Sequence, residues 1–486
     1  MSSQETQTAN VLLVGGCGHW AAHENHVPAI LRMKRDGWNV RIPAICDVRD
    51  PYDHELLQQM PHLRELVALD SPLWIKPEVT APYVKLKQHL DHAHAQLSFN
   101  IVIIACDPVH HYGYLRWATE NGVHVLCDKP LLSREDAAWD PDQAAQVERD
   151  FEEILRMHRK QRVANGHMIA LPLRRRANDV FVHAARSILD VYEDHKQNLT
   201  FGHFVVNGGN YRFPEEYELG NAHGYRYGIG SLAFSSYHYI DLIAWFLQIA
   251  PGDVAALRIK NHYVRRLGDY LSTEQNNVLL GLLKDRSEVS RTTASLSDRA
   301  KRSEMDFAFS IELIDSNARN LGMLAYTFAS NSFSQRSVGL LKQDAERNVA
   351  FREKGRMSQY VIDLSQGHLQ HIRISKNDAV GEPYRIRLEE RRNPTLPGGG
   401  ALKEHVFDDA HDGSSVTPQD VTQSFIQLVM GRAGLSSAHE RISFIEDQLL
   451  THNLYTSFYK LIAARHVQSH VIDDAAPENS EFLELV

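Results

Sequence analysis

"FNIVIIACDPVHHYGYLRWATENGVHVLCDKPLL", residues 99–132, decides the fold. Phe99 to Cys106 is a near-continuous apolar run of the kind buried on both faces of a parallel sheet. Tyr112 to Asn121 has helical periodicity and stops at Gly122, and His124 to Cys127 is a second short apolar run. Strand, helix and strand in this order predict a βαβ unit. It delivers Asp128-Lys129-Pro130 to the carboxyl end of its second strand, the edge at which open α/β sheets bind ligands.

Upstream, "NVLLVGGCGHWAAHENHVPAIL" (residues 10–31) reads as a strand from Asn10 to Gly15, a glycine turn and a helix start. The turn is Gly16-x-Gly18-x-x-Ala21. Its first glycine permits a sharp turn, its second lets backbone N–H groups approach a pyrophosphate, and its small third residue allows helix to pack on strand. The anion then sits at the positive end of a helix that opens with His19 and Trp20. A second apolar stretch, "VRIPAICD", ends in Asp47, where a dinucleotide-binding fold places an acid to accept hydrogen bonds from ribose hydroxyls. The acid favours NAD. Arg49 lies close enough in sequence to neutralise a 2′-phosphate, so NADP stays open, and Pro43, which cannot donate to a central ladder, predicts that the strand begins near it. Between Val48 and Ser98 only a helix over Pro82 to Ala95 is legible, with no placeable third strand.

Downstream, "PDQAAQVERDFEEILRMHRKQR" is predicted as a helix packed on the sheet, and "VANGHMIAL" as a sixth strand, which ends a first domain near residue 170. From Phe201 the texture changes to strands: "FGHFVVNGGNYRF", "NNVLLGLL", "FSIELIDSNARNLGMLAYTF", "YVIDLSQGHLQHIRIS" and "YRIRLEER", joined by short polar turns. Two helices, Pro418 to Met430 and Ser437 to Ala464, follow, and "NPTLPGGGALKEHVFDDAHDGSS" is the most loop-like part. The expected architecture is α/β plus α+β. A Rossmann domain (1–170) precedes a substrate-binding and oligomerisation domain (171–486) with a large, mainly antiparallel open sheet, the C-terminal helices being free to pack back on the first domain.

Bulk properties agree with small-molecule chemistry. With 43% hydrophobic and 23% charged residues, 486 residues make a globular chain of about two domains. The net charge of −9 and the shortness of the basic runs argue against nucleic acid. Neither a spanning helix nor a basic, apolar leader is read, so the expected setting is the cytoplasm, without a membrane partner. Cys17, Cys46, Cys106 and Cys127 show no C-x-x-C spacing and read as buried small residues; His19, His23 and His26 lack a carboxylate or cysteine to complete a metal set, so no metal is expected.

"GIGSLAFSSYHYIDLIAWFL" (residues 228–247) carries a lone histidine, His238, in front of an apolar helix. On its own residues it reads more readily as packing than as chemistry. Asp241 lies three positions on, on the same helix face, where it can orient or charge-stabilise the imidazole. Arg174 to Arg176 follow the sixth strand and read either as a solvated charge run or as a grip for an anionic substrate group; Tyr211 and Arg212 are similar candidates.

Taken together, the glycine turn, the acid after strand two, Pro108-x-x-His111 and Asp128-Lys129-Pro130-Leu131 resemble the Gfo/Idh/MocA oxidoreductases. The resemblance implies a nicotinamide-dependent dehydrogenase or reductase acting on CH–OH groups of a sugar, cyclitol or sugar-derived substrate, with the open sheet making a homodimer or homotetramer. It puts Lys129 beside the nicotinamide and the reacting hydroxyl, and adds Asp107, His111 and Asp128 to the cofactor contacts. Asp128 stands where the family usually has Glu. The family's second motif matches at Gly228, Gly230, Leu232, His238 and Asp241, giving His238 the acid–base role with Lys129, and Tyr237, Ser235 or Ser236 as helpers. Two positions depart from it. Ile229 replaces a glycine, and the motif's first acid falls on Phe234, which cannot take a proton. Redox-neutral elimination or hydrolysis of a glycoside with retained NAD, and non-catalytic dinucleotide sensing, are the alternative readings on the same fold. The chain is longer than is usual in the family, with the surplus around 50–98, 133–160 and 335–415.

Overall fold

The computed structural model describes residues 8–78, 82–209, 217–218, 225–272, 296–333, 358–377, 385–408, 417–431, 442–468 and 480–484. The chain forms two compact units that interleave in sequence: Met1–Arg134, Val147–Ala177 and Val416–Leu449 in the first, and Glu135–Gln146, Asn178–Ser415 and Leu450–Val486 in the second.

The first unit is built on β1 (Ala9–Val14), β2 (Val40–Cys46), β3 (Leu73–Ile75), β4 (Ile101–Ile104), β5 (His124–Cys127) and β6 (Ile169–Leu171), all parallel, in the order 3-2-1-4-5-6 counted from one edge. This is the doubly wound order of a dinucleotide-binding sheet. Its direction reverses between β1 and β4, so the crevice at the carboxyl ends of those strands is where a ligand belongs. All four residues of β4 are buried, as a strand covered by helices on both faces requires. A two-residue strand, β15 (Ser443–Phe444), adds antiparallel to β6 at the far edge. The core joins Val11, Leu13, Ile30, Ile45, Ile101 and Leu126 to Val421, Phe425 and Ile426 of the helix Pro418–Val429.

Several expectations shift here. The second strand begins at Val40, not near Pro43; the β1–β2 register slips between Asn10 and Leu12, and that irregularity absorbs the missing N–H of Pro43. The third strand is Leu73–Ile75, too short for a periodicity signal, and two helices, His54–Gln59 and Pro61–Asp70, precede it. The helix expected over Pro82 to Ala95 is Tyr83–Leu97.

The second unit holds a nine-stranded sheet. Its strands are β7 (Phe201–Asn207), β8 (Val254–Arg266), β9 (Glu304–Asp315), β10 (Asn320–Ala329), β11 (Gln359–Gln366), β12 (Gln370–Asn377), β13 (Arg385–Arg392), β14 (Leu402–Asp408) and β16 (Ser480–Glu484). They run in the order 14-13-12-11-7-10-9-8-16 and are antiparallel throughout except for the β7–β10 pair. Period-2 alternation sends Phe204, Val206, Leu324, Tyr326, Ile362 and Leu364 inward, and leaves Phe201 and Met323 exposed on the other face. The supposed loop after Asn393 contains β14: its three glycines end in a strand, which the loop signal had masked. The last helix starts at Leu449 rather than Ser437, because Phe444 to Gln448 are used first as a strand and a tight turn. "NNVLLGLL" lies outside the described residues.

Candidate active site

The first glycine turn is shaped by what it passes. Gly15 has φ +74°, and a Cβ there would lie 2.6 Å from Cys106 N and 2.7 Å from Ala105 O. At Gly16 a Cβ would meet the Ile45 side chain at 2.8 Å, and at Gly18 it would meet only Gly15 O at 3.1 Å and Ala105 O at 3.6 Å. The chain therefore crosses the end of β4 at a distance only glycine allows, which leaves a backbone cradle at the switch point. His19–His26 then winds as a π-helix, His23 N bonding Gly18 O at 3.0 Å, before the α-helix Val27–Arg35. The side chains of His19 and Trp20 lie outside the described set.

Asp47 closes the other side of the cradle. It sits just past β2, with its Oδ2 accepting from Cys17 N at 2.9 Å and its Oδ1 from Arg49 N at 2.8 Å. The carboxylate thus ties the glycine turn to β2 and, with two oxygens and several lone pairs, can still accept ribose hydroxyls. The half-exposed Arg49 guanidinium lies 4.0 Å from Oδ1. Among the described residues no cluster of three or more His, Cys, Asp or Glu is arranged to hold a metal ion. Burial pushes the Cys46 thiol up to about 12 and also raises those of Cys17, Cys106 and Cys127 well above the usual thiol value, so all four remain protonated.

Asp107 opens the turn Pro108–His110 that leads into the helix His111–Glu120. His111 is fully buried: Nε2 lies 2.9 Å from Cys106 O, and Nδ1 lies 3.1 Å from Pro130 O and from Leu131 O and 3.3 Å from Cys127 Sγ. Burial lowers its pKa. Its ring locks the loop after β4 to the Asp128–Leu131 segment. Lys129 is half-buried, and Asp128 Oδ1 lies 3.3 Å from His26 Nε2. Of the arginine run, Arg176 Nη2 donates to Asp447 O at 3.3 Å, a structural use; the Arg174 side chain, Tyr211 and Arg212 lie outside the described residues.

In the second unit the other motif has a different construction. Gly228 has φ +70°, and a Cβ there would lie 2.4 Å from Asp136 Oδ1; at Gly230 it would lie 2.0 Å from Glu304 O. Gly230 N and Leu232 N each donate to Glu304 Oε1 at 2.9 Å, and Tyr459 OH donates at 3.2 Å. Glu304 is fully buried, and burial pushes its pKa up to about 7. This carboxyl caps the π-turn Leu232–Ser236 that opens the helix Tyr237–Ile249. Along that opening Ser235 and His238 are half-buried, while Phe234, Ser236, Tyr237 and Asp241 are buried. Tyr237 packs edge-on against Tyr455 at 5.2 Å, and Ser236 Oγ meets Tyr326 OH at 2.5 Å. Asp241 Oδ1 accepts from Thr451 Oγ1 at 3.0 Å and ties its helix to Leu449–Gln468. Glu304, Thr451 and the His26 contact went unread because their partners are remote in sequence.

Residues 10–149 match the model of the Gfo/Idh/MocA oxidoreductase family, NAD-binding Rossmann fold. That match places a NAD-binding Rossmann fold of the Gfo/Idh/MocA type in residues 10–149. No curated protein sequence matches it. Among solved structures it is similar to the WlbA dehydrogenase of Chromobacterium violaceum in complex with NADH and UDP-GlcNAcA (14% identity, 99% of this chain and 96% of that one, TM-score 0.53). It is also similar to the aldose-aldose oxidoreductase of Caulobacter crescentus complexed with glycerol (12%, 99% and 100%, 0.51) and to the super-repressor mutant of Gal80p from Saccharomyces cerevisiae (13%, 96% and 97%, 0.53). At these identities the likeness shows the fold alone.

Proposed function

We propose that this protein is a NAD-dependent dehydrogenase or reductase acting on a hydroxyl or carbonyl carbon of a sugar, cyclitol or sugar-derived compound. The observation that carries the reading is the cradle at the β1–β4 switch point, closed by Asp47 and followed on β5 by Asp128-Lys129-Pro130. Bound NAD supplies the hydride acceptor and NADH the donor. The Lys129 ammonium stabilises alkoxide character on the reacting oxygen, and His238 takes or returns the hydroxyl proton. His238 is favoured for this because, of the motif's ionisable side chains, it is half-buried while Asp241 is enclosed. Ser235, one turn before it, is the accompanying hydroxyl.

Sugar-like substrates are supported by the family and by the molecules in two of the similar structures. The exposed face bearing Phe201 and Met323 supports a homodimer or homotetramer. No described helix is long and apolar enough to cross a membrane, and we assign the protein to the cytoplasm. The test is a screen of sugars and cyclitols for NADH absorbance change with wild type, Lys129→Met and His238→Ala. Turnover should fall by about 100-fold or more in each variant, with NADH binding kept. Full turnover in both would overturn the roles. A dinucleotide-binding sensor is the second reading, favoured by one observation: the motif's acid position holds the buried Phe234, whose ring lies 6.1 Å from Tyr225. Tight NAD binding with no turnover would select it.

A further inference from the structure

We propose that His26 is a positioning residue for the Asp128-Lys129 segment, with Thr422 as the anchor that fixes its ring. The inference rests on the reading that Lys129 works at the reacting oxygen. His26 closes the π-helix His19–His26 and is buried. Its Nδ1 lies 2.9 Å from Thr422 Oγ1, and its Nε2 lies 3.3 Å from Asp128 Oδ1. Thr422 Oγ1 is also 3.2 Å from Pro418 O. All four residues belong to the first unit.

Proton counting defines the ring's state. Asp128 as a carboxylate only accepts, and Thr422 has one hydroxyl proton. If that proton goes to His26 Nδ1, the neutral ring carries its own proton on Nε2 and donates it to Asp128. If it goes to Pro418 O, Nδ1–H donates to Thr422, and the ring reaches Asp128 as an imidazolium with both nitrogens protonated. Both arrangements put a proton on Nε2, aimed at Asp128; the tautomer protonated on Nδ1 alone would set two acceptors against each other. The bond therefore holds the carboxylate adjacent to Lys129 in one place. A buried ring gripped at both nitrogens cannot rotate away, which is how a second layer of contacts fixes a working group. Glu24 beside His23 is the other acid near the end of this π-helix, and it lies 3.7 Å from His23 Nε2, so His26 addresses Asp128.

The test uses trace acetylation of the full-length protein with acetic anhydride across pH, read at Lys129 by mass spectrometry against the other lysines, which needs no substrate. His26→Met removes the donor and His26→Gln retains an N–H that reaches Asp128. The expected result is a shift of about half a pH unit or more in the Lys129 profile for His26→Met, with the wild-type profile restored in His26→Gln. Thr422→Val, which keeps the packing volume, should give a smaller shift of the same sign. NADH titration by fluorescence confirms that each variant is folded and binds nucleotide. An unchanged Lys129 profile in folded His26→Met, or in Thr422→Val should His26→Met fail to fold, overturns the proposal. The Lys129→Met turnover assay separates the two ideas. If Lys129→Met keeps full turnover the catalytic reading falls, whatever the labelling shows; if it is inactive and the labelling profiles coincide, only the His26 proposal falls.

Discussion

The protein has two glycine turns that look alike in sequence and are built on different physics. At Gly15 to Gly18 the glycines bring backbone close to backbone, and the turn leads into a helix whose opening N–H groups have no acceptor within the helix itself. At Gly228 to Gly230 the N–H groups of Gly230 and Leu232 go to the buried carboxyl of Glu304, and the space beside Gly230 is filled by Glu304 O. The first turn brings backbone against backbone at the switch point, and the second seats a helix on a buried carboxyl. A glycine motif is thus a statement about close approach, and what approaches has to be found in three dimensions.

The sharpest way to break this comparison is Gly230→Ala. A Cβ at 2.0 Å from Glu304 O forces the strand or the turn to move, so we expect a loss of about 3 kcal/mol or more, read as a lower urea midpoint or as insoluble protein. Asp47→Asn should then weaken NADH binding by about tenfold and raise the NADPH to NADH preference, because Arg49 remains while the acid that repels a 2′-phosphate is gone. Unchanged preference would remove Asp47 from the ribose. Gly18→Ala should cost roughly threefold to tenfold in NADH affinity with little change in melting temperature, since its φ of −75° is ordinary and only a carbonyl contact at 3.1 Å tightens. The same substitution would therefore destroy one turn and only blunt the other.

The smallest effect is in pH dependence. Glu304 has a folded pKa raised by burial to about 7, above its unfolded value, so the folded state holds a proton there that the unfolded state releases. Its contribution to stability is fully present below the unfolded pKa and is lost as pH rises through about 7. Wild type should lose about 2–4 °C more in melting temperature than Glu304→Gln between pH 5 and pH 8. Parallel curves would mean that the carboxyl does not hold its proton, and that the second turn is capped by a charge.

How much of this was legible follows from where each signal lives. β4, the helix after it and β5 announce themselves because strand burial on both faces and helical periodicity are local properties of residues 99–132. β3 is only Leu73–Ile75, and β14 follows three glycines, so neither leaves a periodic trace strong enough to read. Within the second motif, helical spacing puts Asp241 on the His238 face and the resemblance puts Tyr237 near a substrate, but neither signal reaches the neighbours from another helix, Thr451 and Tyr455, that pack against them. Glu304 is 74 residues from Gly230, and Thr422 is 396 residues from His26. A bond across that distance has no local pattern to betray it.

The interleaving of the first unit has a consequence for synthesis. Its helix Pro418–Val429 is complete only 252 residues after Ala177, and its sheet edge at Ser443–Phe444 only 267 residues after it. At about 5–20 residues per second, a nascent nucleotide-binding domain waits roughly 13–50 s with the partners of Val421, Phe425 and Ile426 uncovered. A chain that stops before Pro418 lacks both that helix and the sheet-edge strand of its nucleotide-binding domain.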